Sequence, residues 1–192
     1  MRSIKVILLL FLIPTPCTLF SQVKWEDKMN QLDENGQKTG LWIMEKDDKR
    51  MFSYYKKGKE DGIFYGINLR YNTLIWFGRK ANERMIEYHE FTDFGCLLSS
   101  FINIQDNLIP VPKSRWAYLG QGIPTERCFC INYYSNGQKE SDGILLFYED
   151  PITESAEWGE WRYYDEAGKL TEIKIFGDTV TVLHPGDKGW HE

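Results

Sequence analysis

Carboxylate side chains are the residues of this chain whose spacing comes nearest to a catalytic pattern. A glycan hydrolase needs two carboxyl groups about 5 to 10 Å apart across a cleft. Spacing alone offers two sets of candidates, which are Glu83, Glu87 and Glu90, and Glu154, Glu157 and Glu160. On a strand Glu157 and Glu160 point to opposite faces, and acidic residues beside turns are usually solvated. A small glycan hydrolase is therefore kept as an alternative only.

Nucleophilic and metal chemistry have weaker support than the carboxylates. Cys96 and His89 could form a Cys-His pair, but nothing in the sequence is placed to orient the histidine. The spacings of His89, Cys96, Cys128 and Cys130 are 7, 32 and 2 residues, which match no compact zinc motif. Phosphate-loop, dinucleotide-binding, HExxH and GxSxG motifs are missing from the sequence. The sequence predicts no enzyme activity, no cofactor and no metal site.

The cysteines permit one disulfide. Cys128 and Cys130 alternate on a predicted strand, so they share a face and are poorly placed to bridge each other. In an oxidising compartment Cys96 could pair with either of them, which leaves an odd thiol.

The N-terminus has the layout of a secretory signal peptide. Arg2 and Lys5 precede an unbroken apolar run over residues 6–13, and a polar turn follows at Ser21. Cleavage is expected after Ser21, with Cys17 as the alternative site, so residues 1–21 form the signal and residues 22–192 a single domain. Lipid attachment at Cys17 is a further option, although the preceding proline fits it poorly. The sequence predicts export to the periplasm or cell surface, without a transmembrane helix once the signal is removed.

Charge and composition exclude two further classes. The chain has 192 residues, a net charge of -5 and 15% aromatic residues. An acidic chain lacks the basic footprint of a nucleic-acid-binding protein, and so many large apolar side chains argue against disorder.

Self-similarity is the most informative feature of the sequence. Residues 33–42 align with residues 55–64 at a shift of 22, with both glycines and the aromatic in register. Residues 133–145 repeat the theme, and a fourth copy opens at Gly159. The turn residues Asn35-Gly36, Asp61-Gly62 and Asn136-Gly137 between aromatic runs predict antiparallel hairpins. Since one hairpin cannot bury its own apolar side, the sequence predicts an all-β protein with one open antiparallel sheet.

Two segments depart from the repeat. Residues 97–130 contain several prolines and glycines around Trp116 and Tyr118, and are expected to form an irregular insertion. This insertion is either a binding element or a divergent repeat that packs over the sheet. Residues 184–192 are expected to be a loose tail, whose histidines and aspartate are solvent-exposed.

Aromatic side chains are the candidate binding residues. Their flat rings could stack on sugars or anchor a protein, although most of them are expected to build the core. The candidates are Trp42, Phe64, Trp116, Tyr118, Tyr134, Trp158, Trp161 and Tyr164.

The repeat units resemble a known family. The step Gly40-Leu41-Trp42 and the recurring Tyr-Tyr-x-x-Gly-Lys and Tyr-Tyr-x-Asn-Gly-Gln units are similar to the short MORN-type repeats of bacterial, often exported proteins, many of them labelled antitoxin-like. The resemblance covers residues 29–66 and 131–177 well, and residues 67–95 weakly. It implies a sheet of successive hairpins that serves as a scaffold or interaction surface, and it carries over no catalytic residues.

The expected function follows from export, the repeats and the resemblance together. We expect a non-catalytic binding or scaffold module at the bacterial cell envelope, whose partner is an envelope protein or a glycan. Besides the hydrolase, the alternative is antitoxin-like capture of a protein partner, which the export signal disfavours.

Overall fold

The structure is a computed structural model that describes residues 28–109, 124–147 and 155–191. The predicted signal peptide, Cys17, Trp116 and Tyr118 lie outside the described residues. The described strands are β1 (Gln31–Leu32), β2 (Lys38–Lys46), β3 (Lys49–Lys56), β4 (Lys59–Asn68), β5 (Thr73–Ala81), β6 (Arg84–Phe91), β7 (Leu97–Asp106), β8 (Glu126–Tyr133), β9 (Lys139–Phe147), β10 (Ser155–Tyr164), β11 (Leu170–Phe176) and β12 (Val180–Leu183).

All twelve strands form one open antiparallel sheet. Their order in the sheet is their order in the sequence, from β1 at one edge to β12 at the other. The prediction of an all-β protein with an open sheet of successive hairpins is thereby confirmed. In the described part of the chain, no helix is both long enough and apolar enough to cross a membrane.

The Asn-Gly turns form as predicted. At the first one Gly36 has a φ of 72°, and the Asp33 carboxylate accepts hydrogen bonds from the backbone amides of Asn35 and Gln37, each at 2.9 Å. The prediction of a turn at Gly62 is wrong, because this residue lies inside β4. The turn between β3 and β4 consists of Lys57 and Gly58, which both have positive φ, as a two-residue hairpin requires.

One row of paired residues crosses the sheet from β2 to β10. Because these residues are paired in register, their side chains share one face of the sheet. We call this face the core face, and the other one the opposite face. The row is Trp42, Ser53, Phe64, Gly78, Tyr88, Phe101, Cys130, Gly143 and Trp161.

Large rings in this row lie over small residues of the next strand. A Cβ atom added to Gly143 would stand 2.5 Å from the ring of Trp161, and one added to Gly78 would stand 2.5 Å from the ring of Phe64. The indole Nε1–H of Trp161 donates a hydrogen bond to the backbone oxygen of Ile144 at 2.8 Å. The ring therefore sits flat on β9, in the place that a side chain at position 143 would occupy.

A cluster of buried apolar residues lies on the core face of the C-terminal half. It contains Phe101, Ile104, Cys128, Cys130, Leu145, Phe147 and Trp161. On β9 the neighbouring Leu145, Leu146 and Phe147 are all buried, so both faces of this strand are covered. On β4, by contrast, Ile63 on the opposite face is 47% exposed.

The two segments outside the repeat hold more order than their composition indicates. The two ends of the segment 97–130 form strands β7 and β8, rather than an irregular insertion. These strands pair with each other over Ser99 to Asp106 of β7. In the tail, two backbone hydrogen bonds of 3.0 Å close turns at Asp187 and Trp190. The ring nitrogen Nε2 of His191 lies 3.1 Å from the carboxylate of Glu160 on β10. The tail is therefore folded, and its two histidines and Asp187 are exposed as expected.

We expect Gly143→Ala to destabilise the protein by about 1 to 3 kcal/mol, because the added methyl group overlaps the Trp161 ring. Urea unfolding followed by circular dichroism measures this loss. Gly177→Ala is the matched control, since a Cβ atom there meets nothing closer than 3.8 Å. Equal midpoints for the two variants would contradict the role of the ring contact.

Candidate functional site

A cavity of about 470 Å³ opens on the core face between β6 and β10. We call it the core-face groove. Its floor is apolar at Phe101, Leu145 and Trp161, and its polar residues come from four different strands. The lining residues are Glu90, Ser99, Phe101, Cys130, Asn132, Leu145, Ser155, Ala156, Glu157 and Trp161.

A chain of side-chain hydrogen bonds fixes the polar part of the floor. The hydroxyl of Ser99 donates to the Asn132 Oδ1 at 2.8 Å, and the Asn132 amide donates to the Ser141 hydroxyl at 2.9 Å. The Cys130 thiol lies 3.7 Å from the same Oδ1 atom. These residues face one another because Ser99 pairs with Asn132, and Asn132 with Ser141, across β7, β8 and β9. The amide is therefore held in one orientation before any ligand arrives.

Two carboxylates stand at the two sides of the groove. Glu157 on β10 accepts a hydrogen bond from the Tyr163 hydroxyl at 3.1 Å, and burial together with this carboxylate raises the pKa of Tyr163 above its usual range. The Lys174 ammonium lies over the Tyr163 ring, 4.4 Å from the ring centroid. Glu90 on β6 is half-buried, and no described side chain donates a hydrogen bond to it or forms an ion pair with it.

The spacing of these carboxylates fits binding better than hydrolysis. Glu90 and Glu157 lie on strands four positions apart, which corresponds to about 19 Å of backbone along the sheet at about 4.8 Å a strand. A glycosidase pair needs its carboxyl groups about 5 to 10 Å apart. A shared reaction centre would therefore need both side chains to reach toward each other across three intervening strands.

Of the predicted aromatic residues that the structure describes, Trp161 alone lines the groove, and it is 2% exposed. Its ring is part of the floor rather than an open stacking platform. Trp42 is half-buried against Tyr55, and the Lys38 ammonium lies 4.6 Å from its ring centroid. Phe64 is also half-buried, with the Lys80 ammonium 5.2 Å from its ring centroid.

The other described candidates lie away from the groove. Trp158 pairs with Ile144 and so belongs to the opposite face. The Tyr134 hydroxyl donates a hydrogen bond to the backbone oxygen of Tyr164 at 2.7 Å, and the ring of Tyr164 carries the Lys139 ammonium at 4.3 Å. These tyrosines tie adjacent hairpin turns together.

Sequence reasoning missed the polar floor of the groove. Ser99 and Asn132 are polar residues at core-face positions of strands whose neighbouring core-face residues, Phe101 and Cys130, are buried. Such a break in an alternating pattern was the available signal, because a polar group on a buried face needs a partner. Their mutual pairing depends on the register of β7 against β8, which local sequence patterns do not reveal.

A second chain of polar groups, on the opposite face, has the composition of a catalytic triad. His89 Nδ1 lies 2.8 Å from the Ser100 hydroxyl, and His89 Nε2 lies 2.9 Å from the Glu87 carboxylate. Ser100 is only 4% exposed, so a substrate cannot reach its hydroxyl in this conformation. Both ring nitrogens of His89 are engaged, which leaves neither for the Cys96–His89 pair considered from the sequence. This chain stabilises the pairing of β6 with β7.

All three described cysteines are free: Cys96 is exposed, and Cys128 and Cys130 are buried on the core face. Burial and the negative charge of Glu157 raise the pKa of Cys130 to about 12, and burial also raises the pKa of Cys128. Within residues 28–109, 124–147 and 155–191, no three His, Cys, Asp or Glu side chains form a group that could hold a metal ion.

Comparison with protein-family models and with curated proteins found no match.

We expect iodoacetamide to alkylate Cys96 at least about a hundredfold faster than Cys128 and Cys130 at pH 8, because the thiolate is the reactive species and burial disfavours it. Peptide mass spectrometry at timed intervals gives the three rates separately. Concentrated urea should remove the difference. Recovery of Cys96 in a disulfide with either buried cysteine would contradict the structure.

Proposed function

We propose that this protein is an exported, non-catalytic binding module of the bacterial cell envelope, which holds its ligand in the core-face groove. The observation that carries the proposal is the groove itself, with a polar floor already ordered by the Ser99–Asn132–Ser141 chain. A preorganised site of this kind loses little conformational entropy when a ligand binds.

Export and the envelope location rest on the sequence of residues 1–21, and the repeat resemblance supports a scaffold role. The net charge of -5 argues against a nucleic-acid partner, because nucleic acids are themselves strongly negative. The sheet supports a scaffold role as well, because twelve strands side by side offer broad surfaces to a partner.

Antitoxin-like capture of a protein remains the nearest alternative, since it would use the same surface in another compartment. The glycan-hydrolase alternative draws support from Glu90 and Glu157, which line one cavity. Their strand separation weighs against it, as does the engagement of Glu157 with Tyr163.

Site-specific photo-crosslinking in the cells that make the protein tests this function. A photoreactive amino acid at Ser155, on the border of the groove, should capture one envelope component after illumination. The same amino acid at Ile63, exposed on the opposite face of β4, is the matched control and should not capture it. Mass spectrometry of the captured chain also identifies the mature N-terminus.

Two results would overturn the proposal. Capture from both positions alike would show that the groove is not the binding site. Turnover of an envelope glycan that is lost on Glu157→Gln, but retained on Glu140→Gln, would identify a hydrolase instead, because Glu140 lies outside the groove.

A further inference from the structure

We propose that the core-face groove binds a basic peptide segment, with one lysine or arginine side chain against Glu90 and a second against Glu157. This inference rests on the proposed function and names the chemistry of its ligand. It therefore predicts that the captured envelope component is a protein with paired basic residues.

Charge is the first argument. Glu90 and Glu157 are the acidic residues among the ten described residues that line the groove, and these ten include no lysine or arginine. Across the described core face the other nearby acids are paired, as Glu172 is with Lys174 at 2.9 Å. Glu90 is half-buried and meets no described cation. A partly desolvated carboxylate without a counter-ion attracts a cation more strongly than an exposed one does.

The shape of the lining is the second argument. Between the carboxylates the floor is made of Phe101, Leu145 and Trp161, which suits the aliphatic stem of a lysine or arginine. Asn132 lies in the middle, where its amide group can hydrogen-bond a peptide backbone. Anions are disfavoured by both carboxylates, and a neutral sugar leaves them without a counter-charge.

The separation of the carboxylates sets the spacing of the two cations. Their strands are about 19 Å apart along the sheet, and each glutamate side chain covers part of that distance. In an extended peptide, two lysines four residues apart have Cα atoms about 13 Å apart, and their flexible stems can span the rest.

The probe is a pentapeptide with lysine at its first and last positions, an acetylated N-terminus and an amidated C-terminus. It is titrated into the whole protein purified from the cells that make it. We expect the Trp161 indole and Asn132 side-chain amide signals to shift in nuclear magnetic resonance spectra, because both groups line the groove. Isothermal titration calorimetry at low salt gives the affinity. The same peptide with both lysines acetylated should bind at least tenfold more weakly.

Glutamine substitutions test the two contacts separately. We expect Glu90→Gln and Glu157→Gln each to weaken the peptide by about tenfold, and the double variant by about a hundredfold, since sites this far apart act independently. Glu140→Gln, in β9 but outside the lining, is the matched control and should leave binding unchanged. Because Glu90 has no described partner to lose, its glutamine variant should unfold at the wild-type temperature.

Three results would overturn this inference. Spermidine binding as tightly as the pentapeptide would show that the site takes free polyamines rather than a peptide. Equal affinity for the acetylated peptide, or no effect of either glutamine, would show that charge does not hold the ligand. Specific capture at Ser155 without any binding of the lysine peptide would leave the proposed function standing and remove the basic-peptide inference alone.

Discussion

The contact between an aromatic ring and a small residue on the next strand is the constraint on which this sheet depends. A ring on the core face of this sheet becomes buried when it lies flat on the neighbouring strand, as Trp161 does on β9. It can do so only where the neighbouring residue has little or no side chain, as Gly143 does beneath Trp161 and Gly78 beneath Phe64. The glycine therefore fixes both the position of the ring and the register of the two strands.

Much of the fold could be predicted because the hairpin repeat is visible in the sequence. The Gly-x-aromatic steps at Gly40, Gly62 and Gly159 recur in register, and each belongs to a strand of the sheet. The turn assigned to Gly62 failed for a physical reason. A glycine with positive φ serves a β-bulge as well as it serves a turn, and Lys57 can adopt the left-handed region beside Gly58.

The groove was harder to foresee than the sheet. The sequence-based candidates were chosen for ring type, whereas the groove is defined by side chains from five consecutive strands. Glu90 and Glu157 appeared among the acidic candidates for a different chemistry, and only strand order shows that they border one cavity. Ser99 and Asn132 are 33 residues apart in the sequence and become neighbours only through the pairing of β7 with β8, so local sequence patterns do not reveal their contact.

The strictly sequential order of the strands also governs how the molecule can be made. Each strand pairs only with the one before it and the one after it, so every ladder closes over a short stretch of chain, except across the segment between β7 and β8. Short loop closures are fast, and they do not require distant parts of the chain to be present. A protein of this kind can assemble strand by strand as it emerges from a ribosome or a narrow pore, with each completed hairpin serving as the template for the next.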